Sequence, residues 1–347
     1  MPSIITEQPE ITPGVSVIIC CYNSAQRLPE TLRHLAQQVS SGIAWEIIII
    51  DNASTDDTAS IAAAEWLKYT VPGAGFTVLS EPEPGKNYAF KKGVKAAKYS
   101  YLLTCDDDNW LASNYIEDAY RLMEASPQTG ALGGMGIFNP QLPLRQEIAD
   151  FKARYVNGSQ TWAESEHWVY GAGSVYRKGV LDMLIRHNWQ QVTTGRKGKS
   201  LICGEDVEIC FMIWLCGYKI ETNDSLQFQH YVAHSKQNID YLLKLSYWLS
   251  YSSVLLVSYY TIFNNEDIKV VTDRWFLSAG KALIRNAGSL LLKRISSWKK
   301  LTVEQRMTFL SQYGTFISLL KNRKRICEHN RHTKTLLATI NEPAAVK

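Results

Sequence analysis

The sequence predicts an α/β fold: a mostly parallel sheet with helices on both faces, followed by a C-terminal helical region. Three observations predict it. Short β-rich runs alternate with segments of helical periodicity through the first hundred residues, polar or acidic clusters stand directly after those runs, and from residue 239 onward the pattern turns helical and basic. Strands alternating with helices build a parallel sheet because each crossover helix returns the chain to the same edge and covers a face.

Residues 15–20 (VSVIIC) follow Pro13-Gly14 and read as a buried strand. Leu28, Leu32, Leu35, Ala36 and Val39 then recur at helical spacing. Residues 45–50 (WEIIII) form a second strand that ends at Asp51. Ser54 or Thr55 is expected to cap the next helix, with Asp56 and Asp57 at its positive end and Ala59, Ala62, Ala63, Trp66 and Leu67 buried. Residues 76–79 and 101–104 supply two more strands around a helical pattern at 88–97, and a helix is expected over 113–126. Ligands of such sheets bind outside the carboxyl ends of the strands. Asn23, Asp51 and the acidic run Asp106, Asp107 and Asp108 should therefore converge on one rim.

Residues 130–222 mix glycine-rich turns with aromatics and show no clear period. Neither Gly171-Ala172-Gly173 nor Gly133-Gly134-Met135-Gly136 completes a dinucleotide GxGxxG after the first strand, which argues against an NAD site. Gly204-Glu205-Asp206 opens a helix whose apolar set Val207, Cys210, Phe211, Trp214 and Leu215 fits 3.6-residue spacing. Met212 and Ile213 make it apolar nearly all round, so it should be buried, and Gly217 should stop it.

The 347 residues are 46% hydrophobic and 20% charged, enough for one large domain with an appendage. Seven cysteines without a CxxC pair favour a reducing cytosol over a disulfide framework or a zinc site. Residues 1–13 lack a basic and then apolar leader pattern, so no secretion signal is expected. Residues 264–347 hold 16 Lys/Arg against 6 Asp/Glu, a net of +10 in a chain of net +4, so the rest is acidic. A basic tail of this kind suits an anionic membrane surface. Its aromatics lie in apolar helical patterns and form no nucleic-acid module, so nucleic acid is not an expected partner. Residues 245–265 are uncharged but diluted by serine and tyrosine, and read as a buried or interfacial helix rather than a spanning one. The apolar stretches 282–292 and 309–320 adjoin Lys293, Arg294, Lys299 and Lys300, then Lys321, Arg323, Lys324 and Arg325. Such helices lie in a headgroup region or pack a solvated basic face on the rest of the protein.

Asp106, Asp107 and Asp108 follow the apolar run 101–105. Three adjacent carboxylates at a strand end repel one another unless a cation neutralises them. Mg²⁺ and Mn²⁺ prefer oxygen ligands and, held by one or two carboxylates, keep positions open for substrate phosphates. The reading is a metal–diphosphate site with Asp106 and Asp108 as the outer carboxylates; a solvated acidic turn or helix cap is the bland alternative.

Taken in order, SVIICCYNSAQRLPETL, EIIIIDNASTDDT, CDDDNWL and GEDVEICFMIWLCGYKI resemble a family-2 glycosyltransferase of the GT-A fold, over about residues 15–234. EPEPGKNYAFKKGV, VYGAG and GRKGKSLICGED resemble a bacterial branch involved in surface-polysaccharide assembly. The resemblance implies a Rossmann-like catalytic domain at 1–238 and a helical, basic region at 239–347 that contacts a membrane peripherally, at the cytoplasmic face. It implies metal-dependent, inverting transfer from a nucleotide sugar, UDP-linked by preference, to a hydroxyl of a glycan or lipid-linked glycan. Carried over by residue, Tyr22 and Asn23 lie beside the nucleotide and Asp51 binds its base. Lys86, Asn87 and Lys91 either approach phosphates or base or form a solvated helix start. Asp106 and Asp108 hold Mn²⁺ or Mg²⁺, with Asp106 nearer the ribose and Asp107 between them at the donor. His230, ahead of His234, joins the metal. Asp206 is the catalytic base, with Glu205 beside it. An acceptor hydroxyl must lose its proton as it attacks the sugar, and a positioned carboxylate can take it.

Two departures stand out. Ala89-Phe90-Lys91-Lys92-Gly93 replaces the relatives' Ala-Arg-Asn-x-Gly, and the QxxRW signature of processive synthases is broken, since Val271 precedes Arg274-Trp275 in the Gln position. The second favours one addition per encounter. A non-catalytic nucleotide-sugar-binding module is one alternative. A sugar-phosphate nucleotidyltransferase is the other, and would need a glycine-rich, arginine-bearing loop where Cys20-Cys21-Tyr22-Asn23 stands.

Overall fold

The computed structural model describes residues 12–196, 198, 200–297 and 301–341, with the side chains of 290–297 and 341 excepted. Residues 1–11, Lys197 and Lys199 of the GRKGKSLICGED string, and Lys299 and Lys300 lie outside the described residues, as do the side chains of Lys293 and Arg294.

The strands β1 (Thr12–Cys21), β2 (Trp45–Asn52), β3 (Ala74–Glu81), β4 (Tyr99–Thr104), β5 (Asn109–Leu111), β6 (Thr129–Pro140), β7 (Val175–Arg177) and β8 (Lys219–Val232) join one sheet in the order β3-β2-β1-β4-β7-β6-β8-β5. The first four run parallel. The half built from the middle of the chain is mixed: β7 is antiparallel to β4 and β6, β6 is parallel to β8, and β5 is antiparallel to β8. The expectation of a mostly parallel sheet thus holds for the first half and is modified in the second. There the chain returns by loops and short helices instead of full crossovers.

The helices are α1 (Leu28–Ala36), α2 (Thr58–Trp66), α3 (Lys86–Ala96), α4 (Tyr115–Ala125), the short α5 (Gln146–Ala149) and α6 (Ala163–Glu166), α7 (Lys178–Arg186) and α8 (Glu205–Leu215). The C-terminal set is α9 (Ile239–Leu255), α10 (Val257–Phe263), α11 (Ile268–Ser297) and α12 (Val303–Asn341). Strand side chains alternate between two cores, as a period of two requires. Val15, Val17, Ile19, Ile47 and Ile49 pack with Leu28, Leu32 and Leu35 of α1 and with Trp66 of α2. Ile18, Ile48, Ile50 and Leu102 face the other way, onto Ala89 and Val94 of α3, Leu184 of α7 and Phe211 of α8.

That second core does not stop at the sheet. Val254 and Leu255 of α9, Tyr259 of α10 and Leu319, Ile326 and Leu336 of α12 belong to it. The C-terminal helices therefore share a core with the sheet, which is the second of the two arrangements that the basic tail left open. The uncharged stretch 245–265 is broken between α9 and α10 at Leu256, and no helix among the described residues is long and apolar enough to cross a membrane.

Helix α2 differs from its expected form. It buries only Thr58, Ala62 and Trp66, one stripe at four-residue spacing, while Ala63 is exposed and Leu67 is 85% exposed. Neither Ser54 nor Thr55 caps it. The Ser54 hydroxyl accepts the Asn23 N–H instead (3.0 Å), and Asp56 Oδ1 accepts the Thr58 N–H (3.1 Å).

Phe211 joins the two parts: fully buried, it meets the rings of Tyr259, Tyr260 and Phe263 at 5.8, 5.3 and 4.9 Å. Phe211→Ala should cost about 3–5 kcal/mol in urea denaturation and lower one transition seen alike by fluorescence and circular dichroism. Two separate transitions would show that the C-terminal helices fold apart from the sheet.

Candidate active site

Parallel pairing sets Cys21 opposite Asp51 and Ile18 opposite Thr104, so β1, β2 and β4 open their carboxyl ends along one edge. Tyr22 is exposed there. Asn23, in a left-handed conformation at φ 49°, accepts the Thr55 N–H at Oδ1 (2.8 Å) and so ties the β1–α1 loop to the β2–α2 loop. Asp51 Oδ1 accepts the Ser54 N–H at 3.3 Å. Asn52 holds the approach to α3, donating to the carbonyls of Glu81 (3.1 Å) and Glu83 (2.7 Å) and accepting the Gly85 N–H (2.8 Å). Gly85 (φ 143°) and Gly204 (φ 97°) adopt backbone conformations that a side chain would strain, and each starts a helix on a site residue, Lys86 or Glu205.

The three carboxylates of the acidic turn diverge. Asp106 Oδ1 accepts from Lys86 Nζ at 3.0 Å. Asp107 is gripped by Arg27 through Nη2 (2.5 Å) and Nε (3.1 Å), and its carbonyl accepts the Thr31 hydroxyl (2.9 Å), so it fastens α1 to the turn. Asp108, 5% exposed, accepts from Lys236 Nζ at 3.0 Å, and its other oxygen lies 4.0 Å from His230 Nε2. Pairing of β5 with β8 sets Asn109 opposite His230 and brings the Tyr231 N–H to the Asp108 carbonyl (2.8 Å). His230 Nδ1 stands 3.1 Å from the Val156 carbonyl. A carbonyl only accepts, so Nδ1 carries a proton and Nε2 faces the Asp108 side. Burial opposes ionisation of Asp108, but Lys236 holds its carboxyl below the ordinary range.

Lys86 also reaches α8, with Nζ 3.6 Å from Glu205 Oε1. Burial opposes its charge, yet Asp106 and Glu205 drive its pKa up. No cation among the described residues contacts Asp206, although the Lys86 charge nearby draws its pKa down. Its oxygens accept the N–H groups of Gly171 (2.7 Å) and Val207 (2.9 Å). Gly171 is delivered by the end of β4, where Thr104 donates its N–H to the Ser174 carbonyl (2.8 Å) and accepts the Gly173 N–H (2.9 Å). Burial, and then the neighbouring Glu205, push the Asp206 carboxyl up to about 6. Two acceptor oxygens in this region, Glu205 Oε2 and Asn87 Oδ1, are buried without a partner among the described residues.

Lys86 thus brings Asp106 and Glu205 together, Asp108 and His230 form a neighbouring pair, and Tyr22, Asn23 and Asp51 line the rim. The side chain of Asp107, expected at the donor, is spent on Arg27. His234 is exposed and makes backbone contacts, its N–H donating to Gln141 Oε1 (2.8 Å) and its carbonyl accepting the Gln237 N–H (2.9 Å). Among the described residues, no three of His, Cys, Asp and Glu are grouped to hold a metal, because Asp106 and Asp108 face different lysines. Asp108 and His230 do fit a divalent cation in chemistry, an oxygen and an imidazole nitrogen side by side. Lys236, Arg27 and the Gly171 N–H were missed by sequence reasoning. Arg27 stands inside a quoted motif, but nothing in spacing marks it or Lys236.

Residues 16–184 match the family model described as Glycosyl transferase family 2. Residues 16–184 thus form a glycosyl transferase family 2 domain. EpsH of Bacillus subtilis is 29% identical over 110 residues, covering 32% of this chain and 30% of that protein. The poly-beta-1,6-N-acetyl-D-glucosamine synthase of Staphylococcus aureus (strain COL) is 24% identical over 213 residues, 60% of this chain and 47% of that protein. The chain thus spans about a third and about half of these curated relatives. Among solved structures it is similar in fold to the mannosyltransferase PcManGT from Pyrobaculum calidifontis, in complex with GDP-Man and Mn²⁺, with a TM-score of 0.53 and 19% identity over 98% of this chain and 90% of that one.

With the Asp206 carboxyl at about 6, turnover should fall about tenfold per pH unit below that value if Asp206 must be ionised to act. Because its folded-state pKa is raised, its contribution to stability is full at low pH and is lost as pH rises through about 6. Acid loss of rate therefore cannot be unfolding driven by this group. A rate profile flat to about pH 5 would remove Asp206 from the proton transfer.

Proposed function

We propose that the protein transfers a sugar from a nucleoside-diphosphate sugar, UDP-linked by preference, to a hydroxyl of a glycan or lipid-linked glycan, with inversion at the anomeric carbon. The observation that carries this reading is the bridge of Lys86 between Asp106 and Glu205, which sets the acidic turn beside the GED helix. The two unpartnered acceptors, Glu205 Oε2 and Asn87 Oδ1, suit the hydroxyl-rich surface of a sugar. Asp206 takes the proton of the acceptor hydroxyl while that oxygen bonds to C1. The C1–O bond to phosphate breaks, and its electron pair leaves with the diphosphate. Glu205 is paired with Lys86; Asp206, held by two backbone N–H groups and raised to about 6, is suited to take the proton. Asp108 and His230 would hold Mn²⁺ or Mg²⁺, which would offset charge on the departing diphosphate. The roles divide into a catalytic part at 1–238 and a helical part at 239–347.

The broken QxxRW pattern supports one addition per encounter, and the likeness to a poly-N-acetylglucosamine synthase supports a place in surface-polysaccharide assembly. Peripheral contact with the inner face of an anionic membrane is supported by α11. Val270, Leu277 and Ile284, exposed by 63%, 63% and 75%, fall within roughly 40° of one another around the helix. Arg274, Lys281 and Arg285 are exposed along one side of that stripe, the arrangement of a helix that lies in a headgroup layer.

Asp206→Asn keeps the shape but cannot accept a proton, so UDP binding should survive while transfer falls by roughly 10²- to 10⁴-fold. Loss in Glu205→Gln with Asp206→Asn unharmed would name the other carboxylate. Asp108→Ala should leave a folded protein without Mn²⁺- or Mg²⁺-dependent turnover. Full turnover of the unmutated enzyme in EDTA would end the metal reading. The full chain should co-sediment with anionic liposomes at low salt and be released by Leu277→Glu with Ile284→Glu. Equal sedimentation of the variant, or none by either protein, would rule out docking through α11.

A further inference from the structure

Glu208 lies three residues beyond Glu205 on α8, fully buried, and no step of the transfer uses it. Its carboxylate nevertheless meets donors on both oxygens. Oε2 accepts the Val192 N–H (2.7 Å) and the Tyr259 hydroxyl (2.8 Å). Oε1 accepts the Thr193 N–H (2.6 Å) and the Thr193 hydroxyl. A buried carboxylate satisfied by four donors is an expensive feature to keep for packing alone, since an apolar residue would fill the space without desolvating a charge.

The groups around it lead in two directions. Toward the C-terminus, Tyr259 of α10 also accepts from Trp189 Nε1 (3.3 Å), and its ring meets that of His329 of α12 edge-on at 5.0 Å. His329 lies against the same segment, with Nε2 2.9 Å from the Gln190 carbonyl and Nδ1 3.0 Å from the Ser258 hydroxyl. Burial lowers the His329 pKa to about 4, so it serves as a neutral hydrogen-bonding ring and not as an ion-pair partner for Glu208 4.0 Å away. Toward the rim, the Thr193 carbonyl accepts from Asn87 Nδ2 (3.0 Å), and Gln191 Nε2 donates to the Glu205 carbonyl (3.0 Å). Asn87 is the neighbour of Lys86, which bridges Asp106 and Glu205. A continuous chain of contacts therefore runs from α12 through Tyr259 and Glu208 to the segment 191–193, and on to the residues around the Lys86 bridge.

We propose that Glu208 is a positioning residue through which the C-terminal helices hold the segment 191–196 against the start of α3, and so set the donor side of the active site. The C-terminal region is then part of the catalytic apparatus. Its packing fixes where Asn87 and Lys86 stand, although none of its side chains is placed in the chemistry. The inference rests on reading the Lys86 rim as the donor site, but the coupling itself is tested without that reading.

Glu208→Gln is the informative change. It keeps the volume, yet its NH₂ must face either the Val192 N–H or the Thr193 N–H, donor against donor. Amide hydrogen exchange in the full-length variant should speed up at least about tenfold across 191–196 while α12 keeps its protection. Affinity for UDP with Mn²⁺, read by calorimetry, should fall about tenfold. Tyr259→Phe, which removes one of the four donors, should move both readouts in the same direction and less. A Glu208→Gln protein that melts lower but keeps wild-type exchange at 191–196 and wild-type UDP affinity would reduce Glu208 to a core residue and overturn the proposal. If Glu208→Gln does not fold, Tyr259→Phe decides by the same two readouts, and no change in either overturns it. If the unmutated protein fails to bind UDP, the UDP reading falls, while the exchange measurement still decides the coupling.

Discussion

Repulsion among carboxylates is the constraint around which this rim is built. Asp106, Asp107, Asp108, Glu205 and Asp206 come together at the carboxyl edge of one sheet, and two like charges about 4 Å apart cost about 4 kcal/mol at an effective dielectric constant of 20. The structure meets this with cations drawn from distant parts of the chain: Arg27 just before α1, Lys86 from α3 and Lys236 from the segment before α9. Each cation also does geometric work. Arg27 locks the first helix to the acidic turn, Lys86 joins the turn to α8, and Lys236 brings the start of the C-terminal region onto Asp108. Neutralising the site and assembling it are thus the same set of contacts.

The C-terminal helices follow from the same logic on the apolar side. Helix α8 is hydrophobic nearly all round, so a sheet on one face cannot satisfy it. Phe211 and Ile213 are fully buried, and Phe211 finds its partners in α10. The helix that carries the proposed base therefore cannot be covered without residues beyond 239. A basic face remains exposed on α11 and α12 because only one side of each helix is needed for that cover.

Much of this was legible in the sequence. The parallel half of the sheet, its helices and the convergence of residues after β1, β2 and β4 follow from a period of two, a period of 3.6 and a topological rule. The burial of α8 was readable from Met212 and Ile213. What was not legible was non-local. Strand β7 is three residues long and pairs antiparallel with β4, so it presents too little pattern to identify. The caps expected of Ser54 and Thr55 were lost because Asn23, 31 positions away from Ser54, competes for them. Leu67 looks apolar and helical, yet the helix ends before its side chain could turn inward. Arg27 and Lys236 carry no spacing signal because their partners lie 80 and 128 residues away.

The acids at the start of α8 show why residue type alone does not assign roles. Glu205, Asp206 and Glu208 occupy one turn, but they meet a lysine, two backbone N–H groups and a fully buried set of donors, respectively. Glu205 is tied to the Lys86 that it shares with Asp106. Backbone donors fix orientation without supplying a full positive charge, and burial beside Glu205 then lifts Asp206 toward neutrality. Glu208, with both oxygens engaged and no path to solvent, can accept nothing from a substrate. Asp206 and Glu208 are both raised, but four buried donors saturate Glu208, whereas Asp206 is held by two backbone N–H groups, one of them from Gly171, 35 positions away in sequence.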